Sequence, residues 1–223
     1  MCTQSCLDFI SGYLTEDEVR GKSVLEVGSL DVNGSARQLV TRLGPAGYVG
    51  VDMELGPGVD EVCSAEGLIE RFGAAAFDIV VSTEMLEHVF DWRKVMRNLK
   101  GIVKPGGLLL VTTRSIGFGY HAYPYDFWRY QLEDMRVLFA DFCIIELIDD
   151  PLSPGVFVKA SRPATYKEAN LDQHSLYSMI TRRRSVNVSE KQIAGFHARK
   201  RALLPLRALE RGIRSVRKRV LGR

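Results

Sequence analysis

Five short apolar runs are spaced along the first half of the chain, with helix-periodic stretches between most of them. Val24-Leu25-Glu26-Val27 ends at Gly28, and Tyr48-Val49-Gly50-Val51 ends at Asp52. Val59-Asp60-Glu61-Val62-Cys63 is a weaker third run. Phe77-Asp78-Ile79-Val80-Val81-Ser82 is a fourth and Leu108-Leu109-Leu110-Val111-Thr112-Thr113 a fifth. Runs this short and this apolar predict β-strands covered on both faces. Helices are predicted over 35–43, 65–72 and 91–103. In the last of these, Trp92, Val95, Met96, Leu99, Ile102 and Val103 recur every three or four residues. Asp91 is its expected N-cap, and Pro105-Gly106-Gly107 its stop. Strands alternating with helices predict a parallel α/β sheet.

After the fifth run the rhythm changes. A helix is predicted over 132–139, then strands over 142–147 and 155–160. The connection Asp149-Asp150-Pro151-Leu152-Ser153-Pro154 is too short for a crossover helix, so these two strands should pair antiparallel. The expected fold is a three-layer, Rossmann-like α/β sheet of seven strands, mostly parallel and closed by a C-terminal antiparallel hairpin. Before the first strand, residues 6–19 should form one or two short helices over the strand ends, with Thr15-Glu16-Asp17-Glu18 as a capping box. Another helix is predicted over 166–181, and a long one from about Glu190.

Composition leaves this picture in place. The chain has 223 residues, 46% of them hydrophobic, with mean hydropathy −0.04, an ordinary globular composition. No apolar run approaches the roughly 18 residues that span a bilayer. Met1 to Cys6 has no basic or apolar leader pattern, so a cytoplasmic location is expected. The four cysteines (Cys2, Cys6, Cys63 and Cys143) lack CxxC spacing. Cys63 and Cys143 fall in apolar segments and are expected to be buried free thiols.

Charge divides the chain. Residues 1–181 hold 16 Lys/Arg against 25 Asp/Glu, a net −9, and residues 182–223 hold 14 against 2, a net +12. An acidic domain over 1–163 and a basic helical extension over 164–223 are therefore expected. In the extension Leu206, Leu209, Ile213, Val216 and Val220 form an apolar stripe among basic residues, and Pro205 should interrupt it. Such a helix can dock on the acidic body, join a second copy as a homodimer, or lie on the inner membrane surface as a peripheral contact. Nucleic acid is the weakest of the partners considered, because aromatic residues are not interleaved with the charges.

The segment from Val24 to Gly34 carries the candidate chemistry. A glycine directly after a strand lets the chain turn and lets a ligand touch backbone. Glu26 and Asp31 put carboxylates beside that loop, which suits a cationic ligand better than a pyrophosphate. Asp52, at the end of the second strand, can accept hydrogen bonds from two ribose hydroxyls. A nicotinamide-dependent oxidoreductase would share Asp52, but Leu30 stands where its third fingerprint glycine belongs.

These residues resemble the first motif of class I S-adenosylmethionine-dependent methyltransferases. The run Phe77 to Val89 resembles that family's fourth-strand motif, and Lys104-Pro105-Gly106-Gly107 the turn before its fifth strand. The resemblance spans about residues 20–160. It implies S-adenosylmethionine as cofactor, bound by Glu26, Gly28, Ser29, Asp52, Met53, Ser64, Ala65, Ser82 and Thr83. Ser64 departs from the family, whose members often carry an aspartate there for the adenine amine.

Methyl transfer from a sulfonium needs positioning more than a nucleophile on the protein. Glu84-x-x-Glu87-His88 is the weak candidate for a Mg²⁺ group, with a spacing similar to the metal site of ubiquinone-biosynthesis O-methyltransferases and small-RNA 2′-O-methyltransferases. A metal-free role, supporting the loop by hydrogen bonds, is the alternative and the reading preferred here. His88 is also a candidate base or substrate contact. The aromatic stretch from Gly117 to Tyr130 resembles the His-x-x-Pro-x-Asp-x-Trp-Arg-Tyr loop of a bacterial branch of small methyltransferases linked to glycan and metabolite assembly. His121 is the first choice of general base there. Asp126 and Arg129 can pair, and Trp128 and Tyr130 are expected to pack the loop onto the sheet. The function expected is methylation of a hydroxyl on a glycan or other small polar metabolite. A cofactor-binding interaction protein with weak catalysis is the alternative from a different class.

Overall fold

The computed structural model describes residues 3–121 and 125–202. Helices α1 (Gln4–Tyr13) and α2 (Glu16–Val19) precede β1 (Ser23–Val27), and α3 (Arg37–Thr41) leads to β2 (Gly47–Asp52). Then come β3 (Glu61–Val62), α4 (Leu68–Phe72), β4 (Phe77–Thr83), a 3-10 turn (Leu86–His88) and α5 (Trp92–Ile102). β5 (Val103–Arg114), β6 (Trp128–Arg129), α6 (Leu132–Leu138) and the hairpin β7 (Cys143–Asp149) and β8 (Gly155–Ser161) follow. Last are β9 (Leu176–Ser178) and β10 (Arg183–Ser185). The backbone is helical again over 190–202, up to the last described residue. Pro205 and the apolar stripe beyond it lie outside the described residues.

Seven strands form the main sheet in the order β3-β2-β1-β4-β5-β8-β7. β8 runs antiparallel to both of its neighbours, and the other pairs are parallel. The order reverses between β1 and β4, the place where open α/β sheets bind ligands at strand C-termini. Side-chain alternation splits the core in two. Leu25, Val80, Leu109 and Val158 pack on one face with α5 and α6. Val24, Ile79, Val81, Leu110 and Phe157 pack on the other with α1 and α3. Both faces are therefore dry, which explains strands without polar alternation.

Local signals in the sequence account for several element ends. The Asp91 carboxylate accepts Lys94 N–H at 3.1 Å and starts α5 one residue later. Thr15 N–H donates to Glu18 at 3.0 Å, one arm of the expected capping box. Helices α3 and α4 are shorter than their apolar spacing predicts. β5 starts earlier than predicted, with Val103 paired to Phe77 before a register shift.

The helix predicted over 166–181 is absent. Asn170 accepts Asp172 N–H through its side chain at 2.8 Å, a local bond that competes with a helix. Leu176–Ser178 is instead extended and pairs with β6 and β10 in a second, three-stranded antiparallel sheet that was not anticipated. Leu176, Ile180 and Val188 are buried in the main core, so this segment belongs to the packed body. The cysteine expectation also needs correction. Cys143 is exposed on the edge strand β7 and Cys63 is half-buried, whereas Cys6 on α1 is the buried thiol. Cys2 lies outside the described residues.

Candidate active site

The turn after β1 is built around Gly28. Its φ of +81° suits glycine, and a Cβ there would meet Met85 Cβ and Cγ at 3.0 Å. Gly28 and Ser29 N–H both donate to Val51 O, at 2.9 and 3.1 Å, binding the turn to the end of β2. Leu30 N–H donates to Asp52 Oδ2 at 3.2 Å, and Glu54 N–H to Asp52 Oδ1 at 3.3 Å. The loop after β2 then folds back. Asp31 N–H donates to Pro57 O at 2.8 Å, and a Cβ on Gly58 (φ +84°) would strike Ser29 O at 2.5 Å.

Glu26 is buried below this turn. Its carboxylate accepts from Tyr48 Oη at 2.8 Å, Ala36 N–H at 3.3 Å and Ser35 Oγ at 3.4 Å. Burial raises its pKa to about 7, and these three hydrogen bonds only partly offset that. Glu26 thus anchors the far end of the glycine loop, a role in which Tyr48 is its unforeseen partner. Asp52 is the half-buried carboxylate at the loop's edge. Of the other residues predicted beside it, Met53 is exposed and Ala65 is half-buried against the core. Ser64 Oγ accepts Glu66 N–H at 3.2 Å. Ser82 and Thr83 are buried at the end of β4. The Ser29 and Ser82 hydroxyls are buried with no hydrogen-bond partner among the described residues. Buried donors of this kind need an acceptor, and a polar cofactor at the strand ends fits them.

Beyond β4 the chain turns through Glu84 at φ +52°, uncommon for a residue with a side chain. Glu84 ion-pairs with Arg114 and approaches Cys6 Sγ at 3.5 Å. Arg114 also donates to Asp150 at 3.1 Å and Ser153 at 2.8 Å, tying β5 to the β7–β8 turn. Burial, then the charge of Glu87, pushes the Glu84 carboxyl well above its ordinary range. Its side chain is committed to this network, and it stands apart from the group formed by Glu87, His88 and His121.

His121 joins Glu87 and His88 instead. Glu87, His88 and His121 bring one ligand atom each within 4.8 Å of one another. Glu87 is fully buried. Its Oε2 accepts from Thr113 Oγ1 at 2.9 Å, while Oε1 faces His121 Nε2 at 3.5 Å and His88 Nε2 at 3.8 Å. His88 Nδ1 lies 2.6 Å from Tyr125 O, a carbonyl that can only accept, so Nδ1 donates there and Nε2 is the atom turned toward Glu87. On the other side of His121, Nδ1 faces Asp126 Oδ2 at 3.2 Å. Burial disfavours the His121 imidazolium, but contacts with Asp126 and Glu87 outweigh it and raise its pKa to about 9. Despite burial, the Glu87 carboxyl is lowered by the neighbouring imidazoles of His121 and His88.

The described residues on either side of His121 are held by a buried ion pair and its hydrogen bonds. Asp126 and Arg129, both fully buried, form a bidentate pair at 2.5 and 2.7 Å. Burial opposes the Asp126 charge, yet Arg129 and His121 hold its pKa near 2. Arg129 also donates to Gly119 O at 2.9 Å, and Asp126 accepts His121 N–H at 2.8 Å. Trp128 and Tyr130 pack as expected, with Tyr130 Oη donating to Leu86 O at 3.0 Å.

The donor set differs from the weak Mg²⁺ candidate of Glu84, Glu87 and His88. Two imidazole nitrogens and one carboxylate oxygen suit a transition-metal cation such as Zn²⁺ or Mn²⁺ better than Mg²⁺, which selects oxygen. The buried, unpartnered Glu87 Oε1 fits either such a cation or the proton of an imidazolium.

The family profile described as a methyltransferase domain matches residues 4–141. The human mitochondrial ubiquinone biosynthesis O-methyltransferase is 33% identical over 103 residues, covering 46% of this chain and 26% of that protein. Its counterpart in Neisseria meningitidis is 31% identical over 121 residues, covering 48% and 49%. The chain therefore spans half or less of the length of these relatives. Among solved structures, the 1,6-didemethyltoxoflavin-N1-methyltransferase of Burkholderia thailandensis, solved with S-adenosylhomocysteine, matches with a TM-score of 0.55 and 16% identity. That match covers 70% of this chain and 78% of the other.

Proposed function

The chain belongs to the methyltransferase-domain family, and on that premise we propose that it transfers a methyl group from S-adenosylmethionine to a hydroxyl of a small polar acceptor. The observation that carries the proposal is the Glu87, His88 and His121 cluster, which stands past the C-terminal ends of β4 and β5, on the same side of the sheet as Gly28 and Asp52 at the ends of β1 and β2.

S-adenosylmethionine, when bound, supplies a methyl carbon already activated by the sulfonium, which an acceptor oxygen displaces in line. Asp52 is positioned to take the ribose hydroxyls, and Gly28 gives the cofactor access to backbone. Ser29 and Ser82 offer two unpartnered hydroxyls, and Met53, Ser64, Ala65 and Thr83 complete the expected edge. The acceptor hydroxyl sits under the loop that carries His121. His88 Nε2, with Nδ1 donating to Tyr125 O, takes the hydroxyl proton. His121, an imidazolium whose Nδ1–H faces Asp126 and whose Nε2–H faces Glu87, sets a positive charge beside the acceptor oxygen. This exchanges the roles first assigned to the two histidines. A divalent cation in place of that proton is the second reading, favoured by the three convergent lone-pair atoms.

The relatives named as ubiquinone biosynthesis O-methyltransferases support oxygen as the acceptor atom. A glycan or related metabolite remains the acceptor class proposed. The antiparallel β7–β8 hairpin and Leu30 argue against the nicotinamide alternative. No helix among the described residues is long and apolar enough to cross a membrane; the peripheral membrane and homodimer roles of the basic tail stay proposals.

Release of S-adenosylhomocysteine in the presence of a panel of phenols, sugars and glycosides tests the reaction. Acceptor-dependent turnover that His88→Ala reduces at least 100-fold is expected. Cofactor binding without turnover on any acceptor would favour the cofactor-binding interaction protein.

A further inference from the structure

A concavity lies beside the proposed acceptor loop. It has a volume of about 510 Å³, within the roughly 300–1,000 Å³ typical of small-molecule sites. Arg182, Arg183, Arg199 and Lys200 line it, together with Tyr120 and Phe196. No carboxylate lines it among the described residues, and none of the four cations forms an ion pair there. Four uncompensated cations around one hollow repel one another, a cost that a bound polyanion would relieve.

Its walls are ordered by contacts to the site already described. Tyr120 directly precedes His121, and the Lys200 ammonium sits 3.6 Å from the centre of the Tyr120 ring. Phe196 packs on the same ring at 5.2 Å. The Tyr120 hydroxyl is buried with no hydrogen-bond partner among the described residues. The turn bearing Arg182 and Arg183 is fixed to the loop by Met179 N–H, which donates to Phe127 O at 2.8 Å, and by the β6–β9 pairing.

We propose that this hollow binds a pyrophosphoryl group carried by the methyl acceptor, holding the acceptor by its charged end while its hydroxyl lies at His88 and His121. The inference rests on the methyltransferase reading for the identity of the bound molecule as acceptor. Two guanidinium forks on the turn and two cations on the helix can meet a diphosphate from two sides. Concave shape favours such a compact anion over a bilayer surface or a nucleic-acid strand, which call for a flat face or a long track.

Calorimetry of the full chain with inorganic pyrophosphate tests it, beside a titration of S-adenosylhomocysteine that reads the methyltransferase premise separately. Saturable one-to-one pyrophosphate binding is expected, weakened at least tenfold in Arg183→Gln/Lys200→Gln, with S-adenosylhomocysteine affinity unchanged. A tail variant, Arg217→Gln/Lys218→Gln, should bind pyrophosphate like the wild type. Absence of saturable binding would overturn the proposal, as would binding that survives the first double variant or is lost in the second. Vesicles containing phosphatidylglycerol and a single-stranded oligonucleotide are the competing probes. Retention of either by the full chain without pyrophosphate binding would replace the small anion with that surface. If only the S-adenosylhomocysteine titration fails, the anion site stands and the premise falls.

Discussion

Glu87 Oε1 faces His121 Nε2 at 3.5 Å, although Glu87 belongs to the turn after β4 and His121 to the loop after β5. This meeting of two adjacent strand ends builds the proposed acceptor side of the site. It also sets the ligand chemistry. Calorimetry should show Zn²⁺ or Mn²⁺ binding to the full chain more tightly than Mg²⁺, with the tighter binding lost in His121→Ala and kept in Glu84→Gln. Loss in Glu84→Gln alone would restore the carboxylate-rich site.

Asp126 and Arg129 form a buried pair, and removing one partner strands the other charge. Asp126→Ala should cost roughly 3–5 kcal/mol in urea unfolding. Asp126→Asn should cost less, because its amide oxygen still accepts from Arg129. Equal costs would mean that loop packing, not charge, holds this segment.

Much of this was legible in the chain itself, for identifiable reasons. The parallel sheet and its closing hairpin followed from apolar runs and the short 149–154 connection, and the caps of α2 and α5 from Thr15 and Asp91. The second sheet was not legible. Leu176 to Ser178 is too short to show a period, and its partner Trp128–Arg129 is two residues long. Gly28 and Asp52 could be read because a strand ending on such a residue is a local signal. The exchange of His121 for Glu84 could not, since it depends on Arg114 and Cys6, each distant in sequence, capturing the Glu84 carboxylate.

Gly28 is held at φ +81° against Met85. Gly28→Ala should lower stability by about 1–3 kcal/mol and weaken S-adenosylhomocysteine binding, since both φ and the Met85 contact must adjust. Unfolding curves and titrations together check this; an unchanged affinity would remove the turn from the cofactor cradle.

Glu26 gives a pH dependence with a definite sign. Its carboxyl ionises near 4.5 in an ordinary setting and near 7 in the fold. The folded chain therefore holds the extra proton, and stability falls as pH rises from about 4.5 to 7, then levels, by up to roughly 3 kcal/mol. Glu26→Gln keeps an oxygen for Tyr48 and should lack that decline. Urea unfolding at pH 5 and pH 8 in both proteins checks it, and parallel declines would assign the effect elsewhere.

Asp52 is the carboxylate through which the fold would hold the ribose of its methyl donor, and loss of two hydrogen bonds to a charged group is worth tenfold or more in affinity. Calorimetric titration of S-adenosylhomocysteine into the full chain and into Asp52→Ala is the most direct measurement. One-to-one binding by the wild type, weakened at least tenfold in folded Asp52→Ala, is the expected result. No binding by the folded wild-type chain, or equal binding by the two, would contradict S-adenosylmethionine-dependent methyl transfer at this site.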